Sequence, residues 1–531
     1  MSGSPAISWL STRAISLQVG PALAAAAARA LRAARLPHVI DVACTLDTVT
    51  AVCVHGLDDA QSHQVTREVQ CVLAGLTPDA VPGREHVIPV CYDAECGPDL
   101  AAVAAACKMT IEQVIGLHTQ STYRAGFVGF SPGFAYLQGL DERLHLPRLA
   151  TPRARVPPGS VAIAGSQTAV YPNATPGGWH LLGRTPLRLF DPTRGRPALI
   201  EAGDTIRFTP VSREHFITLE NEQSTRPRTP THEPALSVLH PGTFSTVQAA
   251  SPGLRHAGVP YGGPADRLSA AIANRLVGNA DTAPLLEATH SGPIVRAQHD
   301  VTLAVCGADA AVVVEQASGR LVELAPLTPV SLQPGETLRL HGYRAGARVY
   351  IAFSGGLHAA SHPLRAGDSL ATLSAPPFTP RCSTPALARF HQDCVSTRIL
   401  RVTLHPHAQM LPSIASRLHD SLWRVTPRAD RAGIRLEGPP LTHTITTMPS
   451  HATLPGDIEL TPDGTTIVLG PDAPVTGGYP VLASIIDADQ SAMMQCRAGE
   501  WVRFAVVTHT EARAAWRDQQ STLNSLMGPD A

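Results

Sequence analysis

The 531-residue chain has a single lysine, Lys108, among its 42 basic residues. Its scarcity excludes a P-loop, which needs a lysine after a Gly-rich turn, and leaves only Lys108 for Schiff-base chemistry. Charged residues make up 16% of the chain and aromatic residues 5%, with a formal net charge of −1. So low a charge content, against the usual ~25%, points to large buried surfaces within the protein or between its copies. A net charge near zero gives no electrostatic reason to bind nucleic acid or an anionic membrane. The ten cysteines form no CxxC pair, Cys91 and Cys96 being the closest two. Neither a metal site nor a disulfide framework is therefore expected, and the thiols read as reduced and cytoplasmic. No apolar run reaches transmembrane length without charge, and the alanine run Ala22–Ala28 continues through Arg29 as a helix rather than an export signal.

What is abundant is punctuation, with 42 glycines and 47 prolines. Residues 1–88 mix helix and strand: alternating Ala14–Val19, helical Pro21–Arg35, apolar Val49–Val54 and helical Gln61–Leu73 suit a ferredoxin-like α+β domain. From residue 89 short apolar runs alternate closely with Gly, Pro and Asp, the texture of β-barrels or sandwiches. Thr110 and Gln113 make a capping box that divides the apolar stretch Leu100–His118 into two helices.

An internal repeat organises the rest. Glu201–Phe208, Gln333–Leu340 and Arg497–Phe504 each run through Gly and an acidic residue into an alternating strand. Each follows an apolar run ending in Gly: Ala162–Gly165, Ala304–Gly307 and Ile467–Gly470. Ala265-Asp-Arg267 and Ala429-Asp-Arg431 add a further match. The expectation is three related β-lobes, at 89–220, 236–375 and 397–512. They are joined by a Pro-rich linker at 221–235 and a connector at 376–396, and are followed by a tail at 513–531.

The densest run of Gly and Pro, from Gly129 to Pro192, marks loops that shape a pocket or an interface. Its Gly129-Phe-Ser-Pro-Gly-Phe-Ala-Tyr-Leu137 resembles the GFxPGFxYLxGL signature of the B component of 5-oxoprolinase, the Kip-type inhibitor family. Gly165-Ser-Gln-Thr168, Thr175-Pro-Gly-Gly-Trp179 and Gly183-Arg-Thr-Pro186 continue that likeness. From Leu236 onward His240-Pro-Gly242, Gly258-Val-Pro260, Asp266, Asn274, Val277-Gly-Asn279, Gly307-Ala-Asp309 and Thr476-Gly-Gly-Tyr-Pro480 resemble the C component of 5-oxoprolinase. Relatives of that family form the carboxyltransferase region of urea amidolyase. The resemblance implies a fused B–C chain, mainly β, in which three cyclophilin-like β-barrel lobes follow the ferredoxin-like domain. Three departures stand out. Ser11-Thr-Arg-Ala14 replaces a Gly-Asp-x-Ala-Leu segment, Val481 stands where relatives often have lysine, and Leu357–Pro363 lacks a Gly-Ser-Arg-type insertion.

Several residues could carry chemistry. Phe130 and Phe134 flank a turn and read either as a pocket lip or as core aromatics. Gln167 belongs to the same signature. Gly177, Gly178 and Trp179, with Gly477, Gly478 and Tyr479 as their counterparts, could aim backbone amides at an anion, with Arg184 as a bidentate clamp. Tight turns with an exposed arginine explain the same pattern. Asp266 and Asp430 are candidate acid/base groups, although Asp-Arg neighbours are commonly turn caps or ion pairs. Asn274 and Glu287 could orient an amide substrate, and Asn274 could equally cross-link the core. His118 could titrate near neutral pH or serve a helix C-terminus. Cys107-Lys-Met109 faintly echoes a biotin acceptor but lies in an Ala-rich helical stretch, so no covalently bound biotin is expected.

The resemblance implies a component of an ATP-dependent 5-oxoprolinase. Such a component opens a lactam to glutamate with ATP, a divalent metal and a separate protein like the A component, of LamB/YcsF type; a homo-oligomer is also possible. Two alternatives remain open: a biotin-dependent carboxyltransferase acting on a small amide, and a non-enzymatic regulator that binds a histidine kinase.

Overall fold

Alternating apolar residues and a two-residue turn build the first hairpin, Ala6–Ser11 with Ala14–Gln18. It is the edge of a four-stranded antiparallel sheet completed by Thr48–Cys53 and Val39–Cys44. The computed structural model describes residues 6–78, 82–224, 233–250, 252–358, 362–373, 384–445 and 448–528. Helices Ala24–Ala34 and Asp59–Leu73, the second opened by an Asp58–Gln61 capping box, pack Leu31, Val65 and Val69 onto Ile15, Leu17 and Val49. The order departs from the ferredoxin-like expectation. There the strand after the second helix would pair beside Ala14–Gln18; here the N-terminal strand takes that place.

The strand after the second helix, Glu85–Val90, leaves for the next lobe and pairs in parallel with Thr205–Pro210. Ile88 and Val90 are buried in that lobe's core, so the lobe begins before Glu85 rather than at residue 89. Its sheet runs His180–Arg184, Ser160–Ala164, Gln167–Val170, Ala135–Gln138, Tyr123–Val128, Thr205–Pro210, Glu85–Val90. The two ends meet in one bridge, where Cys91 and Arg184 exchange N–H···O bonds of 2.8 and 2.9 Å. Helices Leu100–Ala106 and Ile111–Gln120 are separate, and the Thr110–Gln113 box caps the second. Lys108 sits in the turn between them at φ 56°, outside either helix. The helices diverge by 94°, and no single helix among the described residues is long and apolar enough to cross a membrane.

The last lobe repeats this design and closes it. Ile399–Leu404, Val481–Ile485, Asp457–Leu460, Thr466–Leu469, Gly433–Glu437, Leu422–Ala429 and Trp501–Val506 form a closed barrel. The parallel pair of first and last strands and the order of hairpins match the earlier lobe. The middle lobe does not. Its nine-stranded sheet is dominated by Val301–Glu315 and Thr337–Phe353, and Thr337–Phe353 is antiparallel to every partner. The three-fold repeat is therefore a two-fold one, with the Gln333–Leu340 match a local turn-and-strand likeness. Ala162–Gly165 and Ile467–Gly470 also fall on non-equivalent strands of the two matching lobes.

The joints differ from expectation as well. The helix Arg213–Ser224 enters the expected linker, of which residues 225–232 lie outside the described residues. Pro385–Ser396 is a helix capped by Thr384, while 374–383 of the connector lie outside the described residues. The expected tail is the helix His509–Met527, opened by a Thr508–Glu511 capping box. Arg513 donates to the Thr12 carbonyl at 2.9 Å, Arg517 to that of Leu57 at 3.0 Å and Gln519 to that of Ala488 at 3.0 Å.

Glu287 pins the last lobe to the middle one. It is 1% exposed and accepts from Arg431 Nη1 at 2.7 Å and from the Ala265 N–H at 2.8 Å, with Arg348 Nε 3.6 Å away. Glu287→Ala is expected to cost about 3–5 kcal/mol in urea denaturation, because buried Arg348 loses its carboxylate and Arg431 keeps only Asp472, which is 44% exposed. A cost near zero would show that the clamp does not hold the lobes.

Candidate functional site

The tip of the first hairpin carries Thr12 and Arg13, both buried, into the junction between the N-terminal domain and the last two lobes. There they meet Asp487, which follows the barrel strand Val481–Ile485. Thr12 Oγ1 donates to Asp487 Oδ2 at 2.8 Å, and Arg13 Nε lies 3.6 Å from Oδ1. His55, just past the strand Thr48–Cys53, places Nδ1 3.1 Å from Asp487 Oδ1. Arg267 opens the helix Arg267–Leu276 of the middle lobe and reaches Asp487 at 3.4 Å and Gln490 Oε1 at 3.1 Å. The C-terminal helix stacks Trp516 on His55 at 4.7 Å and beneath the Arg267 guanidinium at 5.6 Å.

Electrostatics assign the protons. Burial and the two guanidiniums push the His55 imidazole down to about 3, so it is neutral at physiological pH. Burial alone would raise Asp487, but His55, Arg13 and Arg267 outweigh it and hold the carboxyl well below its usual range. His55 therefore carries its proton on Nδ1, toward Asp487. Its Nε2 lone pair faces Arg13 Nη1 at 3.0 Å and Arg267 Nη1 at 2.9 Å. Beside this cluster lies a cavity of about 180 Å³ lined by His55, Tyr261, Gly262, Arg267, Ser491 and Trp516. It is below the roughly 300–1,000 Å³ of drug-sized sites and suits a small molecule.

Most of the residues singled out in the sequence lie elsewhere. His118 is a core residue: Nδ1 meets Tyr92 Oη at 2.7 Å, Nε2 meets Thr168 Oγ1 at 3.1 Å, and burial pushes the imidazole down to about 3. It is fully buried, with both ring nitrogens taken up by core hydroxyls. Asp266 is fully buried as the N-cap of Arg267–Leu276, accepting from the Ser269 N–H and hydroxyl and from Gln495 Nε2. Asp430 is exposed and accepts from the Ala432 and Gly433 N–H groups in a hairpin turn, so the two aspartates are not equivalent. Asn274 donates to the Asp281 and Ala283 carbonyls and accepts from Asn279, which locks the middle lobe. Glu287 is the inter-lobe clamp. Arg184 donates to the Pro158 carbonyl at 2.8 Å and pairs with Glu220 at 3.0 Å, so it is no anion clamp. Gln167 is a strand residue opposite Gln138.

Phe130 holds φ 63°, strained for a non-glycine residue, with its ring edge 5.2 Å from buried Phe134. Its loop faces the C-like part. The Gly133 N–H donates to the Ala257 carbonyl at 2.8 Å, and a Cβ at Gly129 would lie 2.2 Å from Thr476 Oγ1. The signature loop is thus an interface between the two parts.

The two Gly-Gly loops occupy matching places but cover different chemistry. None of Gly177, Gly178, Gly477 and Gly478 has a positive φ, so neither pair forms the expected anion nest. Beneath the first, Ala162 faces Leu181 and the space is filled by Phe134, Tyr171 and Trp179. Beneath the second, Glu459 stands in the place of Ala162, facing Val481, and Tyr479 is 41% exposed. A Cβ at Gly477 would lie 2.5 Å from Glu459 Oε1, so only glycine lets the loop cover that carboxyl. His451 pairs across from Gly477, with the His407 ring 4.7 Å away.

The signals for the junction residues were thin. Ser11–Ala14 stood out only as a departure from a family segment and Arg267 only as the neighbour of Asp266. Among the described residues no group of three or more His, Cys, Asp or Glu is arranged to hold a metal ion.

Burial and Asp457 push the Glu459 carboxyl up to about 8 from 4.5. A raised carboxyl stabilises the fold below the unfolded value, and that contribution is lost as pH rises toward 8. Glu459→Gln should therefore gain thermal midpoint over the wild type progressively between about pH 5 and 8. A constant difference in calorimetry across that range would place the carboxyl in its ordinary range.

Comparison with known proteins accords with this two-part architecture. The family model for carboxyltransferase domain, subdomain C and D, matches residues 5–200, and that for subdomain A and B matches 257–506. The B component of 5-oxoprolinase from Bacillus subtilis (strain 168) is 44% identical over 161 residues, 30% of this chain and 67% of that protein. The C component from Escherichia coli (strain K12) is 29% identical over 324 residues, 55% of this chain and 97% of that protein. The crystal structure of TTHA0988 superposes with a TM-score of 0.76 at 31% identity, covering 93% of this chain and 100% of that one. Matches to B-component relatives span as little as 56% of their length. The chain belongs to the family of 5-oxoprolinase B and C components, carboxyltransferase-domain proteins, with a B-like part fused ahead of a C-like part.

Proposed function

We propose that this chain is the fused B–C component of an ATP-dependent 5-oxoprolinase, which opens 5-oxoproline to glutamate together with a separate protein like the A component, of LamB/YcsF type. The observation that carries this reading is the junction cavity. Its walls come from the B-like domain, both C-like lobes and the C-terminal helix, so neither part alone would make it. A lactam is resonance-stabilised, and ATP, when bound, supplies the free energy for ring opening. ATP and its divalent metal are then brought by the partner protein. This chain's residues hold and orient the small molecule: Trp516 and Tyr261 offer apolar walls, and Arg267 offers charge at one end. Its water-poor setting strengthens those electrostatic contacts. This reading places the protein in the cytoplasm, where ATP is at hand.

A biotin-dependent carboxyltransferase is the second reading, favoured by the family to which both halves match. A small anionic carboxyl donor would meet the same cationic wall.

The test mixes this protein with the LamB/YcsF-type protein of the same genome and follows ATP hydrolysis and glutamate. The expected result is 5-oxoproline-dependent release of both products, abolished when either protein is omitted. No turnover from two folded proteins would remove the 5-oxoprolinase assignment and leave carboxybiotin-dependent transfer to small amides as the reaction to assay.

A further inference from the structure

The junction arginines hold more donors than the protein around them accepts. Arg13 is 3% exposed, and its Nη2 is buried without a hydrogen-bond partner. Arg13 Nη1 and Arg267 Nη1 both point at His55 Nε2, which has a single lone pair to share between them. A third guanidinium, Arg513, uses Nε on the Thr12 carbonyl, sits 3.8 Å from the half-exposed Asp59, and leaves its own Nη2 unpartnered. Against these stand buried Asp487 and a neutral imidazole. With Arg513 assigned to Asp59, Arg13 and Arg267 share Asp487, and Arg13 Nη2 is left without an acceptor. A buried donor without an acceptor is destabilising, more so when charged.

We propose that the junction cavity binds the carboxylate of its small-molecule ligand through Arg267, with Arg13 behind it, and packs the ligand's ring between Trp516 and Tyr261. A carboxylate would offer the Arg267 guanidinium, the one that lines the cavity, about four acceptor sites and a negative charge in the fork geometry that suits it. Arg267 is the arm that meets the ligand: it lines the cavity, its side chain is 23% exposed, and Trp516 lies flat beneath it. Arg13 does not line the cavity. It lies over the Tyr261 ring at 5.1 Å and adds its charge through that wall and through His55. Arg267 is the one cationic side chain in the lining; the carboxylate of Asp281 in the same lining is paired with Arg275 at 2.6 and 2.7 Å. The assignment rests on the cavity being the reaction site, but its test does not need the reaction.

Titration calorimetry on the whole chain, at low salt, compares three probes built on one five-membered ring: 5-oxoproline, cyclopentanecarboxylate and 2-pyrrolidinone. The two carboxylates are expected to bind and the neutral lactam to bind at least about tenfold more weakly. Arg267→Gln should weaken both carboxylates by about tenfold to a hundredfold and leave 2-pyrrolidinone unchanged, while Arg267→Lys, which keeps the charge but loses the fork, falls between. An unchanged thermal midpoint in Arg267→Gln separates lost binding from lost folding; if it falls, Arg267→Lys carries the comparison. Equal affinity for 2-pyrrolidinone and 5-oxoproline, or unaltered carboxylate affinity in a folded Arg267→Gln, overturns the proposal. Carboxylate binding through Arg267 without turnover in the two-protein mixture keeps this site and removes the 5-oxoprolinase reading. Turnover by Arg267→Gln with the wild-type KM does the reverse.

Discussion

One buried carboxylate organises the junction. Asp487 receives Thr12, Arg13 and His55 from the B-like domain and Arg267 from the middle lobe, while belonging itself to the last barrel. Buried ion pairs contribute little net stability, since desolvation offsets attraction, but an unpaired one is costly. Such a group therefore acts as a register pin: the domains dock where all its partners are satisfied together or they do not dock well. The same carboxylate holds Arg267 where it lines the cavity, and the two guanidiniums at His55 Nε2 leave its proton on Nδ1.

The two matching lobes show how one barrel plan accommodates two chemistries. Strand order, the parallel closing pair and the Gly-Gly-aromatic loop recur, yet the space under the loop holds Trp179, Tyr171 and Phe134 in one and Glu459 and histidines in the other. A fold constrains which positions face each other, not which side chains occupy them. The aromatic lobe is filled and self-sufficient. The titratable one keeps desolvated groups whose retention costs stability, and Thr476 beside them presses on the signature loop of the B-like part.

The two-part layout, the helix caps and the change of texture after the first domain were legible, because each leaves a local mark: a capping box, a Gly-Pro cluster, a Pro-rich joint. The ferredoxin-like order failed at the N-terminal strand Ala6–Ser11, whose position depends on which neighbour it meets rather than on its own pattern. Asp266 and Asp430 looked alike because Ala-Asp-Arg is the same tripeptide in both places; one caps a buried helix and the other a surface turn. His118 looked titratable because sequence does not reveal that Tyr92, Thr168 and Phe208 surround it. The junction cluster was the least visible, since Thr12 and Asp487 stand 475 positions apart and neither belongs to a motif.

That separation bears on how the protein comes to exist in a cell. During vectorial synthesis the B-like domain emerges and folds several hundred residues before Asp487 or Trp516 leaves the ribosome. Through that interval Arg13 and His55 wait on an unfinished surface with neither their carboxylate nor their aromatic cover. Contacts so distant in sequence form late and slowly. Completion of the helix His509–Met527, which ties Thr12, Leu57 and Ala488 together, is thus the step that seals the junction. A chain without that helix would lack Trp516, Gln519 and Gln520 in the cavity wall.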